Sequence, residues 1–198
     1  MIEVYSLNLG GVWFSVACAR EQIVASSFGP TQKSAIAKIL ETIPFNMPFQ
    51  VFHEPSFFAR TALANLKSLY DAETINVDFS LALGRLPVYT QKVLKATLHV
   101  PLGYVTTYGA IAKAVGGGPR AVGNIMASNP FAPIVPCHRV VRAGFKVGDY
   151  GLGGSKVKVE LLSREKQGFS ETKRIVVNGR GFEVFPVECV LKGLGVLI

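Results

Sequence analysis

Apolar and polar residues alternate through Val4-Tyr5-Ser6-Leu7-Asn8-Leu9, break at Gly10-Gly11 and resume through Val12-Trp13-Phe14-Ser15-Val16. That pattern predicts a hairpin closed by a two-residue glycine turn. A third strand is expected from Ile23 to Phe28. The period then lengthens: Ile36, Ile39, Leu40 and Ile43 share one face of a helix that Thr31 can cap. Ser56 can cap a second helix, with Ala59, Leu63, Leu66 and Tyr70 as its stripe. Alternation returns at Ile75, Val77, Phe79, Leu81 and Leu83, with Asn76, Asp78 and Ser80 turned outward, and predicts a closing strand. Strands mixed with helices make residues 1–85 a small α/β or α+β domain.

Past Gly84-Arg85-Leu86-Pro87 the pattern becomes helical, and a second domain is expected over residues 86–170. Pro87 suits the first turn of a helix reaching about His99, with Val93, Leu94 and Leu98 buried. Thr106 or Thr107 caps a short helix in which Tyr108, Ile111, Ala112 and Val115 share a face. Gly116-Gly117-Gly118 interrupts the chain, Pro119 restarts it, and a second short helix follows from Arg120 to Ala127. Two short helices joined by a glycine turn fit a helix-turn-helix. Ser155 can cap a further helix that buries Val157, Leu161 and Leu162 and pairs Glu160 with Arg164. Residues 171–198 read as an extension built on a hairpin, Arg174 to Val177 turning at Asn178-Gly179 into Phe182 to Phe185. The expected class is therefore an α/β (α+β) N-terminal domain and a mainly helical C-terminal domain containing a helix-turn-helix.

Charge changes this picture, because it is unevenly spread. The net charge is +8. Residues 1–85 hold six Lys/Arg and seven Asp/Glu, whereas residues 86–198 hold fifteen and six. A basic half favours a polyanionic partner, nucleic acid first and an anionic membrane surface second. The second short helix is an unusual reader of bases: Ala121, Val122, Gly123, Asn124, Ile125 and Met126 are mostly small or apolar, without a row of long polar side chains for a major-groove edge. Small residues permit close backbone approach, which suits a narrow minor groove and binding largely independent of sequence. Three cysteines are too few for a disulfide scaffold, though one pair, such as Cys18 with Cys189, stays open. Cys18, His53 and His99 match no metal-ligand spacing, and neither metal nor cofactor is expected. The absence of a membrane span or signal segment points to the cytoplasm and nucleoid, or to the nucleus of a nucleated cell.

The candidate chemistry lies in Ile134-Val135-Pro136-Cys137-His138-Arg139-Val140-Val141, where a Cys and a His interrupt an apolar run. A thiol is mostly protonated at neutral pH, and the thiolate is the nucleophile, so Cys137 needs a base. On a strand, adjacent side chains point to opposite faces, which makes direct contact of Cys137 with His138 improbable and a bridging water the better route. Glu165, taken alone, reads as a solvated acid near a helix end that could also point coreward. The loop Asp149 to Gly154 is glycine-rich but carries no phosphate-loop spacing.

With Tyr108, Arg120-Ala121-Val122-Gly123, Asn129-Pro130, the Pro136-Cys137-His138-Arg139-Val140 core, Tyr150 and Glu165 in this order, the chain resembles the O6-alkylguanine-DNA alkyltransferases over residues 86–166. The resemblance implies that Cys137 accepts the alkyl group, that His138 deprotonates it through water and that Glu165 orients His138. It implies a hydrogen bond from Tyr108 to the departing guanine, DNA contacts by Thr107, Arg120, Ala121, Gly123 and Asn124, and Arg120 filling the place of a flipped base. Asn129 would tie the hinge, while Val140, Tyr150, Gly151 and Gly153 would form the base pocket. The implied partner is double-stranded DNA containing O6-alkylguanine, bound by a monomer with cooperative loading left open, and each molecule would react once. Departures are the loop Asp149 to Gly154, slightly longer than usual, the large Asn124 and Ile125, and Lys166 where Gly is common. The alternative from another class is a non-enzymatic protein that binds alkylated bases, against which Cys137 itself argues. A cysteine hydrolase would need a Cys–His pair in contact and an oxyanion hole, and no such motif is visible.

Overall fold

The structure is a computed structural model that describes residues 1–44, 46–75, 79–177 and 179–195. Packing divides the chain into two units, one of Met1–Arg85 with Pro130–Ile134, the other of Leu86–Asn129 with Val135–Ile198.

In the first unit, β1 (Ile2–Leu9), β2 (Val12–Ala19) and β3 (Gln22–Gly29) form an antiparallel meander. Helix α1 (Gln32–Leu40) starts at Thr31, whose hydroxyl accepts from Ser34 N while Ser34 Oγ accepts from Thr31 N, a reciprocal cap. Its Ile39, with Ile43 beyond the helix end, packs on Ile2, Val4, Ala17 and Val24. Strand β4 (Phe49–Val51) then pairs in parallel with β1, giving the order β3-β2-β1-β4. Helix α2 (Phe57–Tyr70), capped by Ser56, buries Leu63 and Leu66 completely, which stabilises the unit by roughly 1.5–3 kcal/mol per side chain. Pro130–Ile134 joins this unit through Ser26, whose N donates to Pro130 O at 2.8 Å and whose Oγ donates to Ala132 O at 3.0 Å.

One expectation fails here. Of the strand predicted over residues 75–83, the described residues form none: Leu81 makes an isolated bridge to Ile23, and Leu83–Arg85 turns into a 3-10 helix. Asn76, Val77 and Asp78 lie outside the described residues. The fourth strand is instead β4, too short at three residues to show a period.

In the second unit, α3 (Val88–Leu98) buries Val93, Leu94, Ala96 and Thr97, whereas Leu98, expected inside, is exposed. Strand β5 (Tyr104–Thr107) runs directly into α4 (Tyr108–Val115), with Thr107 accepting from Ala110 N at 3.1 Å as its cap. Gly116 to Gly118 link α4 to α5 (Pro119–Ala127). After the two-residue strand β6 (Val140–Val141) comes α6 (Gly154–Arg164), which begins one residue before Ser155 with Gly153 at its N-cap. The hairpin of β7 (Lys173–Val177) and β8 (Arg180–Pro186) leads to α7 (Glu188–Gly193). Asn178, expected in the turn, and residues 196–198 lie outside the described residues.

Helices outweigh strands in the second unit, as the pattern of residues 86–170 suggested, but that pattern gave no sign of a sheet. A mixed sheet of order β6-β5-β8-β7 runs through it. Strand β5 pairs in parallel with β6 and antiparallel with β8, and strands of four and two residues are too short for a period-two signal. Val187, Val190 and Leu191 pack with Val105, Val141, Val147 and Leu162, so the C-terminal residues share this unit's core.

Candidate active site

Cys137 does not lie on a strand. Pro136 leads into a 3-10 turn, Cys137–Arg139, closed by Arg139 N donating to Pro136 O at 2.9 Å, and β6 starts only at Val140. Adjacent residues here are not constrained to opposite faces, so the strand argument does not apply. Even so, no hydrogen bond joins the Cys137 thiol to the His138 ring among the described residues, and His138 acts on the sulfur through its backbone N–H. Cys137 is 5% exposed, at a pocket of about 920 Å³. Asn129 Nδ2 donates to Cys137 Sγ at 3.2 Å and to Val135 O at 3.0 Å. Burial pushes the Cys137 thiol up, while the Asn129 hydrogen bond and the nearby Lys158 charge pull it down.

Behind the thiol, three charged or chargeable side chains are buried together. His138 Nε2 lies 2.7 Å from Glu165 Oε1. Arg139 Nε donates to both Glu165 oxygens at 3.0 Å, its Nη2 donates to Oε1 at 2.9 Å and its Nη1 donates to Val100 O at 2.8 Å. Glu165 is 1% exposed as the C-cap of α6, so the reading of it as a solvated acid is wrong. Burial alone would raise its carboxyl, but His138 and Arg139 lower it to about 2. The guanidinium carries a permanent charge that favours the ionised form of Glu165. Burial lowers His138 below its ordinary value, and Glu165 opposes the shift.

These charges fix the tautomer. An ionised carboxylate can only accept, so Nε2 carries the proton toward Glu165. Nδ1 is left as the basic nitrogen, buried and making no hydrogen bond among the described residues. The His138 ring meets Tyr150 edge-on, with centroids 6.2 Å apart.

The remaining sequence-derived residues fall into two sets. Thr107, Tyr108, Arg120, Gly123, Asn124, Tyr150 and Gly151 line the pocket with Cys137. Ala121 is exposed on α5 but does not line it, and Val140 is buried with its carbonyl accepting from Lys158. Gly153 shapes the loop from behind: its φ is +99°, and a Cβ there would come within 2.5 Å of Val157 Cγ2. A Cβ on Gly123 would meet nothing within 4 Å, so the face of α5 is open at that point. Burial raises the Tyr108 hydroxyl, which keeps it a proton donor at neutral pH.

Two buried cations were not anticipated from sequence. Arg139 is the first. Lys158 is fully buried, donates from Nζ to Val140 O at 2.6 Å and lies 5.8 Å from the centre of the Tyr108 ring. Burial lowers it to about 8, opposed by Cys137. Its position three and four residues before Leu161 and Leu162 puts it on the buried face of α6, the one signal that could have revealed it. Cys18, Cys137 and Cys189 are all free, and no cluster among the described residues could hold a metal ion. No helix of the described residues is long and apolar enough to cross a membrane.

Comparisons with known proteins place this geometry in a family. Residues 88–167 match the family model described as "6-O-methylguanine DNA methyltransferase, DNA binding domain". A methylated-DNA–protein-cysteine methyltransferase of Pyrobaculum aerophilum is 50% identical over 74 residues, 37% of this chain and 49% of the relative. Another, of Archaeoglobus fulgidus, is 35% identical over 104 residues, 50% of this chain and 70% of the relative. The matched region spans about half to two thirds of several such relatives, 49%, 63% and 64% in three of them. The crystal structure of O6-methylguanine-DNA methyltransferase from Pyrococcus kodakaraensis aligns over 83% of this chain and 99% of its own, with a TM-score of 0.66 and 27% identity. The Mycobacterium tuberculosis protein in complex with DNA aligns over 83% and 92%, with a TM-score of 0.65 and 29% identity. The chain belongs to the methylated-DNA–protein-cysteine methyltransferase family.

Proposed function

We propose that this protein repairs O6-alkylguanine in duplex DNA by moving the alkyl group onto Cys137, once per molecule. The observation that carries the reading is a buried thiol at a pocket of base-holding size, backed by a His138–Glu165 pair whose free imidazole nitrogen is basic. Family membership supports the reaction class.

The chemistry follows from the charges. The thiol proton passes through a water to His138 Nδ1, and Glu165, ionised down to about pH 2, stabilises the imidazolium that forms. Lys158 supplies positive charge near the thiolate. The sulfur attacks the alkyl carbon, an S–C bond forms, the C–O6 bond breaks and its electron pair remains on guanine. Tyr108 donates a hydrogen bond to guanine as that charge develops. The product is a thioether, and no group in the site is suited to cleave it, so the acceptor is consumed.

The target oxygen lies inside the base stack, so the nucleotide must rotate out before attack. In this reading α4 and α5 act as a helix-turn-helix, with Ala121, Gly123 and Asn124 against the minor groove and Thr107 beside it. The open space at Gly123 supports a close approach. Arg120 is exposed, lines the pocket and forms no ion pair among the described residues, which suits a side chain that fills the vacated place. Tyr150 and Gly151 wall the base, Gly153 shapes their loop, Asn129 holds the sulfur, and the Val140 carbonyl faces the base amine. Binding is by a monomer and largely independent of sequence.

The reading is tested by comparing two substrates. Arg120→Ala should slow removal of O6-methylguanine from a duplex far more than reaction with free O6-benzylguanine. Equal losses on both would remove the flipping role of Arg120, and no methyl transfer by the unaltered protein would end the reading.

A further inference from the structure

The C-terminal hairpin takes no part in the acceptor chemistry, yet it is fixed to the strand that leads into Tyr108. Strand β8 pairs with β5 at Tyr104↔Pro186 and Val105↔Phe185. Thr106 Oγ1 donates to Glu183 O at 2.8 Å, and Val187 N donates to Gly103 O at 2.9 Å. Beside this junction lies a second cleft of about 400 Å³. Thr107 lines both this cleft and the acceptor pocket, so the two adjoin.

Two cations from separate elements converge on the cleft, Lys113 from α4 and Arg174 from β7. Both are exposed, and neither forms an ion pair among the described residues. The Arg174 guanidinium lies over the facing strand at Gly181, where no side chain stands in its way. Glu183, the cross-strand neighbour of Arg174, is the one acid lining the cleft, which keeps a net positive charge.

We propose that this cleft grips a backbone phosphate of the duplex next to the acceptor pocket, with Lys113 and Arg174 both donating to it. The proposal rests on the DNA-repair reading and deepens it, because it gives the C-terminal extension a function: it widens the DNA footprint. A planar guanidinium and an ammonium lining one cleft can both donate to the oxygens of a phosphodiester and read no base.

The test measures binding of the full chain to an unmodified duplex across a salt series, together with its rate of reaction with free O6-benzylguanine. Lys113→Ala with Arg174→Ala should lower the slope of log affinity against log salt by about 0.9, as for one lost phosphate. Binding at fixed low salt should weaken by roughly tenfold. Arg174→Lys should restore most of the slope, and the free-base reaction should not change in any variant. If Arg174→Ala disturbs the hairpin, Lys113→Ala alone reads the same slope from a helix. A slope equal to that of the unaltered protein, with binding and fold intact, overturns this proposal alone. If the unaltered protein shows no salt-dependent duplex binding, the repair reading falls with it.

Discussion

The front and the back of the acceptor site are built on opposite principles. In front, Arg120, Gly123, Asn124 and Gly151 line the pocket, and Gly123 borders open space. Behind, His138, Arg139, Glu165 and Lys158 are at most 8% exposed; the first three are joined by short hydrogen bonds, and Lys158 donates to Val140 O. The front is free to receive a ligand whose shape it does not dictate in advance. The back is fixed before any ligand arrives, and its charges set which nitrogen of His138 is basic. A group buried in such a network is costly to remove, whereas one facing open space is not. Substitutions should therefore separate the two regions by the size and kind of their effects.

The largest effect is expected at Glu165. Glu165→Ala would leave the Arg139 guanidinium buried without its carboxylate, at a cost of about 3–5 kcal/mol, read as a lowered denaturant midpoint. Glu165→Gln preserves volume and should fold better, yet lose the charge that holds the imidazolium, with alkyl transfer slowed on the order of 100-fold. Transfer by the Gln variant at the unaltered rate would show that the back of the site does not activate the thiol.

Next comes pH. The folded-state carboxyl of Glu165 is depressed to about 2, so its contribution to stability is complete above the ordinary carboxylate range and is lost as pH falls toward 2. His138 is likewise depressed and must be neutral to act as a base, so transfer should hold through neutral pH and fall in acid below the ordinary histidine range. A rate that instead falls as pH rises through that range would require the protonated ring and reverse its assigned role. Lys158→Met should raise the pH at which Cys137 reacts with a small alkylating reagent, since the charge opposing the thiol's upward shift is gone.

At the front the effects shrink. Gly153→Ala combines a φ of +99° with a clash against Val157 and should cost about 1–3 kcal/mol, seen as a lower melting temperature. Gly123→Ala should do the reverse, raising helix stability by about 0.5–1 kcal/mol because nothing lies within 4 Å of its Cβ. Its duplex binding should nevertheless weaken, as the added methyl stands between α5 and the groove. Duplex binding that is unchanged or tighter would break the close-approach account.

Legibility in the sequence follows the same division. Cys137, Tyr108 and Arg120 carry chemistry within short motifs, and each lines the pocket. The helices with strong stripes and caps, α1, α2 and α4, start at the residues that capping chemistry indicates. Glu165 was not legible by itself, because its burial depends on Arg139, twenty-six residues away. Arg139 looked like one more basic residue in a basic half, and Lys158 like a solvated charge on a helix. Periodicity also misled where tertiary pairing decided the outcome: among the described residues the alternation from Ile75 to Leu83 met one bridge, at Ile23, while Phe49–Val51 found an edge on β1 with almost no pattern. Strands as short as β5 and β6 become sheet only through each other and through β8.

The central claim is that Cys137 is an acceptor used once. Intact mass measured after incubation with excess O6-benzylguanine tests it most directly. The account predicts a single added benzyl group per chain, located on Cys137, stable over time and absent from Cys137→Ser. Continued release of guanine beyond one equivalent, or an adduct that persists in Cys137→Ser, would contradict it.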